Sequence, residues 1–301
     1  METTILFQDR KPGFSTLRTI SQNGAADVCR EGERCHVCSI VARRTDRSVC
    51  CCNDGGQPCA FWELLNEIAP TGKLRVAIAI STAGGAFWSN KTDSGGYTGV
   101  PVDLGKEMAA QLGVPVEYVA YDNSGQITDA VPKKTWDVAF LPKDPVREAQ
   151  MSFGPIYDVA DATYIVKAGS TITNFQTLDQ PGVKVAAEYN TTTMRGARAH
   201  LKNARVIEYQ TFDEIFELLK NGEIDAFALS RDQLDKMATK IPGTKVLDET
   251  FKKTVVAVAV PLNSPLALAF VTSFMTDART NGILRKAYDN NGLKDVPIRT
   301  E

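Results

Sequence analysis

Short apolar runs alternate with helical repeats from residue 74 onward. Runs of strand length cover Leu74 to Ile80, Val116 to Ala120 and Val138 to Leu141, and their β-branched or small apolar residues suit strands that are buried on both faces. Between the first two runs, residues 102–112 carry apolar side chains at roughly helical spacing, and Ile127 to Val131 predicts a shorter helix. This order predicts a parallel sheet covered by helices, in which ligands gather at the carboxyl ends of the strands.

A second unit repeats the same alternation. Its predicted strands and helices follow one another at residues 183–187, 191–201, 205–209, 212–220 and 225–229. Runs near Ala162 to Val166 and Thr254 to Val260 can link the two units, and Pro265 to Tyr288 predicts helices that pack back on the first unit. A cleft between two such units can close on a ligand that touches both.

We therefore predict an α/β fold of two βαβ-type lobes joined by a two-strand hinge. Lobe 1 is expected at residues 69–166 and 257–301, and lobe 2 at residues 167–256. Residues 1–68 are expected to form a separate extension.

Arg147 follows the loop that ends the third apolar run. Pro142 and Pro145 prevent that strand from continuing, so the arginine lies just past a buried strand, at the edge where ligands gather. A planar guanidinium matches the two oxygens of a carboxylate with two charge-assisted hydrogen bonds. The alternative is a local ion pair with Asp144 or Glu148, and these residues alone do not decide between the two.

The loop EYNTTT at residues 188–193 opens the first helix of the second unit. Hydroxyl and backbone N–H groups at a helix N-terminus can receive an anion, so Asn190, Thr191 and Thr192 are candidate ligand contacts. The alternative is simple capping of the helix by Thr191 or Thr192.

The first 68 residues are rich in Arg, Gly and Ser and hold all seven cysteines. We predict a poorly ordered, Cys-rich extension, because few of its apolar positions are periodic. Cys35 and Cys38 form a C-x-x-C pair, which Cys50 and Cys59 could complete as a thiolate zinc site. Disulfides in an oxidising compartment and an aberrant start of the sequence are the alternatives.

The overall composition excludes several classes of partner. The chain has 301 residues and 43% hydrophobic content, and its net charge of -2 gives no general attraction to nucleic acid or anionic lipid. No run approaches the ~18 apolar residues of a membrane-spanning helix. Polar residues 8–12 stand where a secretory signal would have its apolar core, so the sequence read literally predicts a cytoplasmic protein.

Motifs from Leu65 to the C-terminus occur in the order and spacing of a known family. They are GKLRVAIA at 72–79, GYTGVPVDL at 96–104, WDVAF at 136–140, Arg147-x-x-Gln150-x-x-Phe153, PGVKVA at 181–186 with NTT at 190–192, LLKNGEIDAFAL at 218–229 and GILRKAYDNNGL at 282–293. With these motifs the chain resembles the family-3 solute-binding proteins of ABC transporters. The resemblance implies the type II periplasmic-binding-protein fold.

The resemblance also implies roles for the candidate residues. In the family's amino-acid binders the arginine that matches Arg147 clamps the ligand carboxylate, and the loop that matches residues 190–192 meets the ligand from the other lobe. Leu141, which ends the strand before Arg147, and Glu188 are included among the expected ligand contacts.

Three positions depart from the family pattern. Ser81 and Ser230 stand where the family usually has acids that hold an α-ammonium group, and Asn123 stands at an aromatic position. A bound ammonium would then lack its usual countercharges, unless Glu188 or Asp232 supplied them. We therefore expect a polar pocket for a carboxylate-bearing ligand, without restricting it to α-amino acids.

The resemblance implies the substrate-binding component of an ABC importer, not an enzyme. The expected ligand is a small amino-acid-like carboxylate, the expected partner is a membrane permease, and the expected location is the periplasm. We expect a monomer that binds no cofactor, metal or nucleic acid. One alternative is an enzyme that resembles the cyclohexadienyl dehydratases, with Glu188 as general acid and Arg147 as the substrate anchor. Another is a ligand-sensing module with a zinc-binding head.

Overall fold

The computed structural model of the chain describes residues 60–80, 84–85 and 88–299. Its strands, in chain order, are β1 (Leu74–Ala79), β2 (Asn90–Lys91), β3 (Tyr97–Thr98), β4 (Val116–Tyr121), β5 (Val138–Pro142), β6 (Met151–Val166), β7 (Lys184–Glu188), β8 (Arg205–Tyr209), β9 (Ala226–Ser230), β10 (Lys245–Val246) and β11 (Lys252–Pro261). Its helices are α1 (Ala60–Ile68), α2 (Val100–Gln111), α3 (Ser124–Asp129), α4 (Pro145–Glu148), α5 (Phe175–Leu178), α6 (Thr192–His200), α7 (Phe212–Lys220), α8 (Arg231–Lys240), α9 (Pro265–Thr280) and α10 (Ile283–Asn290), with a 3-10 turn at Val131–Lys133.

One sheet runs through both lobes in the order β4-β1-β5-β11-β6-β9-β7-β8, and β10 pairs with β6. At one end β4, β1 and β5 are parallel, and at the other end β9, β7 and β8 are parallel. Between them, β11 and β6 run antiparallel to each other and to their outer neighbours. The α/β fold with two lobes is confirmed.

The lobe 1 core lies on both faces of β1. Val76 and Ile78 join the buried cluster formed with α2, α9 and α10, whereas Ala77 and Ala79 face the cluster that contains Ile127 of α3. Successive residues of a strand point to opposite faces, so a strand covered on both sides must be apolar throughout. This explains the uninterrupted apolar run in the sequence.

Lobe 2 repeats this arrangement around β7 and β9. Ala186 and Phe227 pack in the cluster with α7 and α8, whereas Val185 and Ala187 face the cluster that contains Met194 of α6. In both lobes the carboxyl ends of the parallel strands face the region between the lobes. In lobe 2, α6 and α8 begin there, just after β7 and β9.

The two central strands, β6 and β11, form the predicted hinge. Their pairing is interrupted by register shifts between Val256 and Ala257 and between Ala257 and Ala259. Bulges of this kind bend a strand and increase its local twist, so the chain changes direction here as it passes from one lobe to the other. The limits given above for each lobe, residue by residue, stay a prediction.

Helix α1 was not predicted, and it corrects the limit of the Cys-rich extension. Residues 60–68 are part of the folded chain: Ile68 is completely buried, and Leu64 and Leu65 pack against the lobe 1 core. Glu67 accepts the backbone N–H groups of Leu266 and Ala267 with Oε2, at 2.9 and 3.0 Å. Glu67 thereby caps α9. The N-cap residue of α9, Ser264, makes no side-chain cap bond of its own.

The start of one predicted helix also changes. The short helix expected at Ile127 begins earlier, at Ser124, because the Asn123 side chain accepts the N–H groups of Gly125 and Gln126 and caps it there. The proposed zinc ligands Cys35, Cys38, Cys50 and Cys59 lie outside the described residues.

Candidate functional site

A small cavity lies between the lobes, at the carboxyl ends of the parallel strands. Its lining comes from the ends of β1, β4, β5, β7 and β9 and from the starts of the helices beside them: Ala79, Ile80, Trp88, Asp122, Asn123, Ser124, Pro142, Glu188, Thr191, Thr192, Thr193, Phe212, Leu229, Ser230 and Gln233. The cavity volume is about 30 Å³, which holds one or two water molecules. In this arrangement of the lobes the cavity is too small for an amino-acid-sized molecule.

Arg147 lies behind the wall of this cavity and is completely buried. Its Nε donates to Thr128 Oγ1 at 3.0 Å, its Nη1 to Pro142 O at 2.7 Å, and its Nη2 to Ser124 Oγ at 2.9 Å. Nη2 also donates to the carbonyl oxygen of Asn190, at 3.3 Å. None of these four acceptors is a carboxylate, so the buried cation is solvated by neutral oxygens.

The local ion pair considered for Arg147 is not formed by its guanidinium. Asp144 accepts the backbone N–H of Arg147 at 3.0 Å and so caps α4, while Glu148 pairs with Lys143 at 2.9 Å. Burial lowers the pKa of Arg147, and repulsion from Arg195 lowers it further. A guanidinium nevertheless keeps its charge near neutral pH.

Asn190 connects the lobes in front of Arg147. It has a positive φ of 51°, which turns its carbonyl oxygen toward the arginine of lobe 1. Its Nδ2 donates to Asp129 Oδ1 at 2.9 Å, and its Oδ1 accepts from Arg195 at 2.8 Å. The backbone and the side chain of Asn190 are thus both engaged, and Asn190 is not among the residues that line the cavity.

Asn123 makes a second contact between the lobes. Its Oδ1 caps α3, and its Nδ2 donates to the carbonyl oxygen of Gln210 in lobe 2 at 3.0 Å. A side-chain atom added at Gly125 would collide with Tyr189 O, so this glycine permits the close approach of the lobes.

Glu188 and the threonines after it form the lobe 2 wall. Thr191 accepts the N–H of Met194 and donates to Glu188 O at 2.9 Å, so it has the capping role weighed above. Thr192 is almost fully buried and lines the cavity. Burial raises the pKa of Glu188 to about 8, with a smaller contribution from repulsion by Asp122. The carboxyl group is therefore protonated near neutral pH.

The start of α8 completes the lobe 2 wall. Ser230 donates to Gln233 Oε1 at 2.9 Å, and both residues line the cavity. Within the part of the chain that the structure describes, Asp232 Oδ2 and Trp88 Nε1 are buried without a hydrogen-bond partner. Burial also raises the pKa of Asp232, although nearby hydroxyl and N–H groups oppose this. An unpaired acceptor and an unpaired donor therefore lie beside the cleft.

Five of the nine predicted ligand contacts line the cavity: Asn123, Glu188, Thr191, Thr192 and Ser230. Arg147 and Asn190 lie directly behind it. Leu141 does not line it, because its side chain belongs to a lobe 1 core cluster. Ser81 lies outside the described residues.

The sequence reasoning missed several polar residues of the site. Ser124 and Thr128 hold the Arg147 guanidinium, and Gln233 lines the cavity beside Ser230. The pairs Ser124/Thr128 and Ser230/Gln233 are spaced four and three residues apart, so one face of each helix carries both members. That spacing was a usable signal.

No group of three or more His, Cys, Asp or Glu side chains among the described residues has the arrangement of a metal site. In the same part of the chain, no helix has both the length and the apolar character needed to cross a bilayer.

Comparison with known proteins supplies the context for this site. A sequence profile of the bacterial extracellular solute-binding proteins, family 3, matches residues 76–292. The chain is 26% identical to the glutamine-binding protein of Geobacillus stearothermophilus over 200 residues, covering 63% of this chain and 72% of that protein. It is 30% identical to cyclohexadienyl dehydratase of Pseudomonas aeruginosa over 166 residues, covering 54% and 60%.

Solved structures with the same fold are also similar. The crystal structure of the ancestral amino acid-binding protein AncCDT-1, a precursor of cyclohexadienyl dehydratase, superposes with a TM-score of 0.65 at 28% identity. The match covers 75% of this chain and 98% of that structure, so it includes both lobes and the hinge.

Proposed function

Because the chain belongs to the bacterial extracellular solute-binding proteins of family 3, we propose that it is the substrate-binding component of an ABC importer. Its ligand is a small, polar, carboxylate-bearing metabolite of amino-acid type, which the lobes enclose. A permease in the membrane receives the closed form, and the protein acts as a monomer in the periplasm. It needs no cofactor or metal.

The environment of the Arg147 guanidinium is the main support for this proposal. A completely buried cation is costly unless charged or well-aligned acceptors surround it, and the four acceptors of Arg147 are neutral. One of them, Asn190 O, belongs to the opposite lobe and departs when the cleft opens. A ligand carboxylate would then replace it as an acceptor and would bring a negative charge into direct contact with the guanidinium.

The other side chains of the cleft suit a polar ligand. Thr192 and Ser230 offer hydroxyls, and Glu188, being protonated, can both donate and accept a hydrogen bond. Asp232 Oδ2 has an unused acceptor position, which an ammonium group of the ligand would satisfy. Ser81 and Leu141 remain predicted contacts.

The name of one relative, the glutamine-binding protein, supports an amino acid as the ligand class. The proposal is tested by denaturing protein purified from its native cells and identifying the released small molecules by mass spectrometry. We expect a carboxylate-bearing metabolite in stoichiometric amount. A released compound without a carboxylate would contradict the proposed ligand class.

A second candidate function is a dehydratase, and Glu188 is the residue that favours it. A buried carboxyl group that is still protonated at neutral pH can act as a general acid, and one relative is a cyclohexadienyl dehydratase. The importer proposal expects no turnover of prephenate or arogenate. Turnover that is lost in Glu188→Gln, and that declines as the pH rises through about 8, would instead favour the dehydratase.

A further inference from the structure

A second concave surface lies outside the cleft cavity and shares no lining residue with it. Its volume of about 490 Å³ is in the range of small-molecule pockets. We call it the side groove. Lobe 1 contributes Val146 to the side groove. Lobe 2 contributes Arg195, Ala199 and His200 of α6, together with Phe251 and Lys252 at the start of β11.

The side groove carries more positive than negative charge. Arg195 is paired with Asp144, the carboxylate of the groove. Lys252 is left with a hydrogen bond from Nζ to Thr192 O at 3.3 Å. Burial lowers the pKa of Lys252, attraction by Asp144 opposes this, and repulsion from Arg195 and Arg147 lowers it further. An anion in the groove would relieve this repulsion.

The floor of the side groove is flat and aromatic. The rings of His200 and Phe251 are both half-buried and stack at 24° with centroids 5.6 Å apart. Tyr164 supports them from the core, and its hydroxyl contacts His200 Nδ1 at 3.1 Å. Burial lowers the pKa of His200, which favours the neutral imidazole.

The remaining walls are apolar and accessible. Val146 on α4 is 45% exposed, and Ala199 on the last turn of α6 is also exposed. The groove therefore combines aromatic, aliphatic and cationic side chains in one lining. Pockets that bind small molecules combine an apolar lining with a few convergent polar groups in this way.

We propose that the side groove binds a small aromatic carboxylate, with its ring against Phe251 and His200 and its carboxylate directed to Lys252 and Arg195. The ring requirement follows from the stacked rings of His200 and Phe251, and the charge requirement follows from the net positive charge of Arg195, Lys252 and Asp144 together. This site shares no lining residue with the cleft cavity, so benzoate binding can be tested whatever ligand the cleft takes.

Three small probes of related shape separate these two requirements. Benzoate has the ring and the charge, benzamide has the ring alone, and acetate has the charge alone. In calorimetric titrations of the full chain we expect saturable binding of benzoate, about tenfold tighter than either of the others. Equal binding of benzamide or acetate would overturn the proposal, as would the absence of saturable benzoate binding.

Variants then locate the benzoate. Lys252→Gln should weaken binding about tenfold, whereas Lys253→Gln, which removes the same charge from the exposed next residue, should leave it unchanged. Ala199→Trp should abolish binding by filling the groove from an exposed position, with the circular dichroism spectrum of the wild type retained. Equal effects of the two lysine variants, or benzoate binding that survives Ala199→Trp, would assign the ligand to another place and overturn the proposal.

Discussion

Arg195 joins the two lobes through Asp144. Its Nε and Nη2 donate to the same carboxylate oxygen, Oδ2, at 2.8 and 2.5 Å, while Oδ1 accepts the backbone N–H of Arg147 at 3.0 Å. One carboxylate therefore caps the helix that carries Arg147, the proposed ligand clamp, and also holds lobe 2 against it. Closure of the lobes and placement of Arg147 are linked through Asp144.

Asp144→Asn is expected to favour the open form. Asparagine can still cap α4, but it cannot provide the charge that Arg195 pairs with, so the open-to-closed ratio should rise about tenfold. Small-angle X-ray scattering should report a larger radius of gyration. The matched control is Glu148→Gln, which removes a carboxylate from the same turn without breaking a contact between lobes. Equal dimensions for Asp144→Asn and the wild type would contradict the link.

Glu188 should make stability depend on pH. Its folded-state pKa is raised to about 8 from 4.5, so its contribution is complete below the unfolded value and is lost as the pH rises toward 8. Between pH 6 and pH 8 the wild type should lose about 2 kcal/mol of unfolding free energy relative to Glu188→Gln. Urea denaturation of both proteins at the two pH values measures this. Parallel pH dependences would show that Glu188 ionises normally.

Asp232 is expected to contribute to ligand binding and to lower the stability of the free protein. Its buried Oδ2 has no hydrogen-bond partner among the described residues, so Asp232→Asn should raise the unfolding free energy by about 1 kcal/mol at pH 7. Because the pKa of Asp232 is raised, the gain should be larger at pH 8 than at pH 4. Asp235→Asn, on the exposed side of α8, is the control. A destabilised Asp232→Asn would identify a structural pairing instead.

Helix α1 should contribute measurably to stability through Glu67. Glu67→Ala removes the acceptor for two backbone N–H groups of α9, and the loss of a cap lowers the unfolding free energy by about 1 kcal/mol. Chemical denaturation should detect this change. Glu63→Ala, at an exposed position of the same helix, should have little effect. If the two variants are equally stable, α1 does not stabilise the domain through its cap on α9.

The fold was predictable because each buried parallel strand has an uninterrupted apolar sequence. Residues such as Val76 and Ala77 face opposite cores, so neither face tolerates polar groups. Helix α1 was not predicted, because the change in composition near residue 68 was interpreted as the domain limit. Its largest apolar residues, Phe61 and Trp62, are exposed, so they do not indicate which face of the helix is buried.

The site was predictable only in part, for physical reasons. Residues at the carboxyl ends of strands, such as Glu188 and Ser230, can be predicted because ligands gather at those ends. The acceptors of Arg147 lie 19 and 23 residues away at Thr128 and Ser124, and 43 residues away at Asn190. The pairings with Thr128 and Ser124 depend on how lobe 1 folds, and the pairing with Asn190 depends on how the two lobes meet. The raised pKa of Glu188 likewise depends on burial, which no local pattern of residues reports.

The most direct test of the account is ligand-induced thermal stabilisation of the wild type and of Arg147→Gln. A ligand that binds only the native state raises the melting temperature. Across the standard L-amino acids and their α-amides, we expect at least one amino acid to stabilise the wild type by about 5 °C or more, its amide to have no effect, and Arg147→Gln to be unresponsive. The amide comparison uses only wild-type protein, so it remains informative if the variant folds poorly. Equal stabilisation by acid and amide, or an unchanged response of Arg147→Gln, would contradict the central claim that Arg147 holds the ligand carboxylate.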